Sequence, residues 1–217
     1  MNTVIFDFDG TLANTLPICF YAFQRVFKEF DNKDFSTEEI KAMFGPSETE
    51  IIKENLSHEN KKQAIGLYYT TYLENHSKLV DYNKEIDELL RYLKNKGIKL
   101  GIVTGKAKRS LDISLGELQM DNFFDVIITG DDVNKPKPDP EGLIKALSVL
   151  GVKSTEAMFI GDSDADIQAG LQAKVYTIGV QWLPDYQTME FTNEPDAVFD
   201  SVTDFMKSVK AGGLYES

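Results

Sequence analysis

Two aspartates follow an apolar run near the start of the chain, in the segment VIFDFDGTLANT (residues 4–15). The run predicts a buried strand, so Asp7 and Asp9 are expected where that strand emerges. Like charges this close repel, and the pKa of one carboxyl group should rise unless a cation lies between them. The pair therefore raises the question of whether the rest of the chain provides for a cation.

Polar residues also follow three later apolar runs. They are Thr104-Gly105-Lys106 after GIV, Asp131-Asp132 after VIITG, and Gly161-Asp162 after MFI. Taken singly, each group has an ordinary explanation as a turn or a helix cap. Because the carboxyl ends of parallel strands meet in one crevice, their joint occurrence indicates a binding site there.

The elements that must position these residues alternate along the chain. Strand-like runs near 3–8, 98–104, 124–129, 157–162 and 175–180 alternate with amphipathic helical segments, and a short strand and a helix follow. This alternation predicts an α/β fold, a doubly wound, Rossmann-like parallel sheet. Residues 17 to about 80 have helical patterns only, so an all-helical cap domain (15–82) is expected as an insertion into a core domain (1–14 and 83–217). The last residues, AGGLYES, are predicted to form a loose tail.

The composition of the chain disfavours some classes of binding partner. The chain has 217 residues, with 23 basic and 35 acidic side chains and a formal net charge of −12. Such a balance repels nucleic acid and anionic membrane surfaces, so we expect neither as a partner. Cys19 is the single cysteine, expected in the core, and no apolar run approaches the roughly 18 residues that span a bilayer. A cytoplasmic protein, monomeric or homodimeric, is expected.

The residue types at the strand ends suit a metal and a phosphate. Asp7, Asp9 and Asp162 offer the hard oxygen ligands that Mg²⁺ prefers. Thr104, the amides after it and a lysine offer hydrogen-bond donors for phosphate oxygens. The two histidines, in contrast, lie in the helical stretch without evident partners and are interpreted as surface residues, an interpretation also open for Lys106.

Four segments resemble, in order, the motifs of the haloacid dehalogenase superfamily. They are DFDGTL (7–12), IVTGK (102–106), KPDP (137–140) and GDSDAD (161–166). The helical stretch resembles the cap that this family inserts between its first and second motifs. The whole pattern is similar to phosphoglycolate phosphatase-like and pyrophosphatase-like members.

The resemblance implies a role for each motif residue. Asp7 would be the nucleophile that becomes an aspartyl-phosphate, and Asp9 the acid and base that serves both half-reactions. Mg²⁺ would be held by Asp7, the backbone carbonyl of Asp9 and Asp162, with Asp166 in support. The phosphoryl oxygens would be bound by Thr104, Gly105 and Lys137, because the lysine directly before PDP fits the family better than Lys135 does.

These roles predict a Mg²⁺-dependent phosphatase that hydrolyses a small phosphorylated metabolite, either a phosphoglycolate-like phosphomonoester or pyrophosphate. One alternative is a phosphomutase of the β-phosphoglucomutase type. Another is a non-catalytic phospho-aspartate signalling module, which the chain length, the helical insertion and Asp9 disfavour. The segment FGPSETE (44–50) is the first candidate for substrate specificity, with an ordinary turn between helices as the other reading.

Overall fold

A computed structural model describes residues 1–212, and its elements follow the predicted alternation. The strands are β1 (Thr3–Phe6), β2 (Lys99–Val103), β3 (Val126–Ile128), β4 (Ala157–Gly161), β5 (Tyr176–Val180) and β6 (Ala197–Phe199). The helices are α1 (Leu16–Asp31), α2 (Thr37–Lys41), α3 (Glu48–Asn55), α4 (Lys61–Leu79), α5 (Lys84–Asn95), α6 (Lys108–Glu117), α7 (Glu141–Leu150), α8 (Asp164–Ala173) and α9 (Val202–Lys210). Residues 213–217 of the predicted tail lie outside the described residues.

The strands pair in parallel in the order β3-β2-β1-β4-β5-β6. β1 is central, with Phe6 beside Ile102 of β2 on one side and beside Ile160 of β4 on the other. The chain therefore builds the sheet outward from β1 in one direction and then in the other, which confirms the predicted doubly wound, Rossmann-like α/β fold. Its crevice lies beyond the carboxyl ends of β1 and β4, where the strand order reverses.

Both faces of the sheet are covered by helices. Val4 and Phe6 pack into a core that also contains side chains of α5, α6 and α9. Ile5, which points the opposite way because strand side chains alternate, packs into a second core with Leu143 of α7 and Ala169 of α8. Burial on both faces explains why β1 is a continuous apolar run.

Four helices and no strand lie between β1 and α5 in the described chain, over residues 16–79. We call α1–α4 the helical insertion. Its α1 carries Pro17 in the first turn, where the missing N–H costs nothing, and α1 packs on α4 with the rings of Phe23 and Tyr68 4.7 Å apart. Because α4 also contacts α6 of the sheet, the insertion lies against the core. Its assignment to a separate cap domain of 15–82 stays a prediction.

Candidate active site

The turn after β1 carries Asp7 and Asp9, and its backbone is held close to β4. The Asp7 N–H donates to the carbonyl of Ile160 at 2.8 Å, which continues the pairing of β1 with β4 by one residue. Gly10 has a φ of +81°, and a Cβ there would collide with the carboxylate of Asp162. The turn thus needs glycine both for its backbone conformation and for its close approach to β4.

Asp7 forms a buried cluster with Asp162 and Asp166, which follow β4. One carboxylate oxygen from each lies within 4.8 Å of the others. Burial raises the pKa of Asp7 to about 7, although Lys137 opposes the shift. Burial, together with the neighbouring carboxylates of Asp166 and Asp7, also raises the pKa of Asp162 well above its usual range. The cluster therefore carries more negative than positive charge, and its three hard oxygen donors fit a magnesium ion.

Of the two lysines in the segment KPKP (135–138), Lys137 is the one that reaches the acidic cluster. Its Nζ lies 2.8 Å from Asp7 Oδ1 and 2.5 Å from Asp166 Oδ1. Burial alone would lower the pKa of this lysine, but the two carboxylates raise it above its ordinary value. Lys135, in contrast, is exposed, and its Nζ lies 3.8 Å from Asp139. Lys137 thus lies at the cluster and Lys135 does not, and the role of Lys137 stays a prediction.

The other two acidic side chains of the cluster are held in place by hydrogen bonds. Asp162 accepts from the Thr11 hydroxyl at 3.2 Å and from the backbone N–H of Gln187 at 2.6 Å. Asp166 accepts from the backbone N–H of Ser163 at 3.0 Å, in a capping box at the start of α8. Each carboxylate is thus oriented before any ligand binds.

Thr104 and Gly105 lie at the end of β2, beside the cluster. Thr104 is buried, and its hydroxyl accepts from the backbone N–H of Lys106 at 3.2 Å. Both residues line the same cavity as Asp7 and Lys137. A Cβ at Gly105 would lie 3.1 Å from the Gly45 carbonyl, so the helical insertion closely approaches the core here.

The Asp9 carboxylate belongs to a second cluster of charged side chains, in which Lys106 is the central cation. Lys106 Nζ lies 3.0 Å from Asp9 Oδ1 and 3.6 Å from Glu48 Oε1, and the Thr15 hydroxyl also donates to Asp9 Oδ1. Burial alone would lower the pKa of Lys106, but Asp9 and its other neighbours raise it well above its ordinary value. The interpretation of Lys106 as a surface residue is wrong, since its side chain is fully buried.

Glu48 is a site residue that the sequence did not single out. It begins α3, and its carboxylate accepts from the backbone N–H of Ala107 at 2.5 Å and from the Ser110 hydroxyl. Burial raises its pKa. An acidic residue at a helix start normally stabilises the helix from the surface. The only signal was therefore its position inside FGPSETE, a segment that also supplies Phe44, Gly45 and Pro46 to the cavity wall.

Three other expectations concern residues outside the cluster. His58 is exposed as predicted, but the prediction for His76 is wrong, since His76 is 1% exposed and hydrogen-bonds Ser114 at 2.9 Å. Its ring is covered where α4 meets α6, a contact that helical periodicity does not reveal. Asp131 and Asp132 follow β3 but do not line the cavity: Asp131 accepts from the Lys108 N–H, and Asp132 caps Thr129.

Most of the predicted site residues thus line one cavity of about 330 Å³. Asp7, Asp9, Thr104, Gly105 and Lys137 line it directly. Asp162 and Asp166 lie behind Asp7, fully buried. The Asp9 carboxylate is outside the acidic cluster, so any metal contact of this residue would have to use its backbone carbonyl, as the resemblance implies. Cys19, expected in the core, is buried and also lines the cavity.

Across residues 1–212, none of the helices combines the length and apolarity required to cross a lipid bilayer.

Known proteins are similar to this chain in sequence and in fold. The pyrophosphatase PpaX of Bacillus mycoides is 33% identical over 206 residues, which cover 95% of each chain. Two solved structures share the fold. A predicted phosphoglycolate phosphatase from Haemophilus somnus has a TM-score of 0.84 at 23% identity, over 96% of this chain and 98% of its own. CbbY from Rhodobacter sphaeroides, in complex with phosphate, has a TM-score of 0.82 at 24% identity, over 94% and 96%.

The model of one family, described as haloacid dehalogenase-like hydrolase, matches residues 4–180. This range contains all four motifs and the whole helical insertion. With the relative at 33% identity over nearly the full length, it settles the membership that the motifs implied. The chain belongs to the haloacid dehalogenase-like hydrolases.

Proposed function

We propose that this protein is a Mg²⁺-dependent phosphatase that hydrolyses a small phosphorylated metabolite through an aspartyl-phosphate on Asp7. The observation that carries the proposal is the buried cluster of Asp7, Asp162 and Asp166 facing Lys137 in a cavity of about 330 Å³. Relatives named pyrophosphatase and phosphoglycolate phosphatase support an enzyme that acts on phosphoester bonds. A phosphoglycolate-like monoester and pyrophosphate are accordingly the first substrates to consider.

Magnesium would be held by the side chains of Asp7, Asp162 and Asp166 and by the backbone carbonyl of Asp9. When bound, it supplies positive charge that keeps the carboxylates ionised and offsets the charge of the phosphoryl group. The protein's own cation at this place is Lys137, which with Thr104 would bind the phosphoryl oxygens.

In the first step, a carboxylate oxygen of Asp7 forms a bond to phosphorus, and the bond from phosphorus to the leaving oxygen breaks. Asp9, in its protonated form, gives its proton to that leaving oxygen. The contacts of the Asp9 carboxylate with described residues all use Oδ1, so Oδ2 is left for proton exchange in the cavity. Lys106 and Thr15 therefore hold Asp9 by one oxygen and leave the other to react.

In the second step, a water molecule attacks the phosphorus of the aspartyl-phosphate. Asp9, now a carboxylate, accepts the proton of that water, and the bond from phosphorus to the Asp7 oxygen breaks. Inorganic phosphate leaves, and both aspartates return to their starting forms. One residue thus acts as acid and then as base.

Paired substitutions test these roles. Asp7→Asn should give no turnover and no phospho-enzyme. Asp9→Asn keeps the nucleophile, and p-nitrophenyl phosphate needs little protonation of its leaving group, so this variant should release a burst of up to about one equivalent of p-nitrophenolate and then slow sharply. Intact-mass spectrometry after quenching should find one phosphoryl group, sensitive to hydroxylamine, on Asp7.

A label on another residue, or an Asp9→Asn variant as fast as the wild type, would contradict the assigned roles. Chelation should abolish turnover of the wild type and added Mg²⁺ should restore it. Full activity in excess EDTA would contradict the metal requirement. Hydrolysis releases one inorganic phosphate for each substrate molecule consumed, whereas a phosphomutase returns the phosphoryl group to a sugar. Measuring released phosphate against consumed substrate therefore distinguishes the two reactions.

A further inference from the structure

The cavity has two chemically different walls. The core wall is polar and contains Asp7, Thr104, Gly105 and Lys137, where the phosphoryl group would bind. The wall formed by the helical insertion is mainly apolar. Its apolar members are Leu16, Cys19, Phe23, Phe44, Pro46 and Ile51. A leaving group that extends from the phosphoryl site toward the insertion would therefore meet hydrocarbon.

The apolar wall is a packed surface. The Phe44 ring stacks on Phe20 with the centroids 5.7 Å apart and lies 6.3 Å from the Phe23 ring. Phe23 in turn packs on Tyr68 at 4.7 Å. Ile51 is almost fully buried. Because these side chains support one another, the wall is formed before a ligand arrives.

The side chains of the cavity supply little unpaired positive charge. Three lysines and four carboxylates line it: Lys41, Lys106, Lys137, Asp7, Asp9, Glu48 and Asp164. Lys137 is paired with two carboxylates of the cluster, and Lys106 lies between Asp9 and Glu48. Of the three lysines, only half-buried Lys41 forms no ion pair with the described residues, so the side chains alone offer a second phosphate group one unpaired positive charge beside any bound Mg²⁺.

Burying a charged group against hydrocarbon is costly unless it is paired, whereas burying an apolar group there is favourable. We infer that the leaving group of the substrate has an apolar body. The substrate class is then a phosphomonoester of an aliphatic or aromatic alcohol, with at most one acidic group for Lys41, rather than inorganic pyrophosphate. This inference rests on the proposed function and narrows its substrate.

A series of unbranched 1-alkyl phosphates, from methyl to hexyl, tests the inference. Beyond the first members, their leaving alcohols have nearly equal acidity, so differences in kcat/KM report contacts of the alkyl chain. We expect kcat/KM to rise roughly fourfold per methylene until the cavity is filled. We also expect pyrophosphate to be a poorer substrate than hexyl phosphate. A flat or falling series, or a preference for pyrophosphate, would overturn the inference while leaving the phosphatase proposal intact.

A matched pair of variants tests whether the apolar wall causes the rise in kcat/KM along the series. Phe44→Ala removes part of the apolar wall and should reduce the rise per methylene. Phe30→Ala removes an aromatic ring of the same helical insertion that packs on His58 and does not line the cavity, and it should keep the full rise. Equal slopes in the two variants would contradict the role of this wall.

Binding gives a second readout that does not require turnover. Asp7→Asn removes the proposed nucleophile, and titration calorimetry with the same alkyl phosphates in the presence of Mg²⁺ should show Kd falling roughly fourfold per methylene. A rise in affinity without turnover by the wild type would support the apolar site and contradict the phosphatase proposal. Equal Kd values along the series would overturn the inference.

Discussion

At the residue scale, the acidic cluster depends on a single lysine. Among the described residues, Lys137 is the one cation within ion-pair distance of Asp7 or Asp166. It comes from the loop between β3 and α7. Because one ammonium group serves two buried carboxylates, its loss would leave both without a partner of opposite charge.

Lys137→Ala should therefore lower kcat by about 10²-fold or more, since it removes a charge aimed at the nucleophile and at the phosphoryl group. Lys135→Ala is the matched control, because Lys135 is exposed two residues away and should change kcat little. Steady-state kinetics with p-nitrophenyl phosphate, alongside circular dichroism to check folding, measures both. If the two effects were reversed, the assignment of the third motif would be wrong.

The sequence indicated some of these residues and could not indicate others. Asp7, Thr104 and Asp162 were predictable because each follows an apolar run, and parallel strands bring their ends together. Lys106 and Glu48 were not, because their burial depends on how the helical insertion packs against the core. That packing joins residues 58 positions apart and leaves no periodic signal in either segment.

At the element scale, α4 and α6 meet through a small polar group inside an apolar contact. The Tyr72 hydroxyl lies 2.8 Å from Ser114 Oγ, and His76 Nε2 lies 2.9 Å from the same oxygen. The Tyr72 ring also lies against Lys106, with Nζ 4.6 Å from the ring centre. This contact therefore connects the helical insertion to the residues around Asp9.

His76 gives this contact a pH dependence. Burial, and secondarily the charge of Lys106, lowers the pKa of His76 from 6.5 to about 4. Between these values the unfolded chain binds more protons than the folded one, so stability falls as the pH decreases below about 6.5. The loss from this residue should reach about 2 kcal/mol by pH 5, from about 1.4 kcal/mol per pH unit.

Urea unfolding at pH 7.5 and pH 5 measures the effect as the difference between wild type and variant. His76→Gln should lose less stability than the wild type between the two pH values, because it lacks the titrating group. His58→Gln, which changes the exposed histidine of the same insertion, should follow the wild type. Equal losses in the wild type and His76→Gln would contradict this source of pH dependence.

Many of the strands and helices could be predicted from the sequence. The apolar runs of β1, β2 and β4 and the amphipathic α5 predicted a parallel sheet covered by helices, as found. At the start of α2, Ser36 and Glu39 form a capping box, a pattern that depends only on residues three positions apart. The α4–α6 contact was not predictable, because α4 carries tyrosines and a histidine where a simple apolar stripe would have indicated its buried face.

At the scale of the whole molecule, the helical insertion covers the crevice of the sheet. Glu48 of the insertion is hydrogen-bonded to the start of α6, and Gly45 closely approaches Gly105. Within residues 1–212, the chain passes between the two parts only near residues 14–17 and 80–84, which we expect to act as hinges. Closure would keep bulk water from the aspartyl-phosphate and limit the size of the substrate.

This arrangement predicts that small phosphate esters are hydrolysed and that folded phosphoproteins are not. Free phosphotyrosine fits a cavity of about 330 Å³, whereas a phosphotyrosine on a folded protein would keep the insertion from closing. Phosphate release should therefore be at least tenfold faster from the free amino acid than from an intact phosphotyrosyl protein at equal phosphoryl concentration. A tryptic digest of that protein is the matched control, since its short peptides carry the same groups without the folded bulk, and we expect digestion to restore part of the rate. Equal rates from the intact protein and its digest would contradict closure as the limit on substrate size.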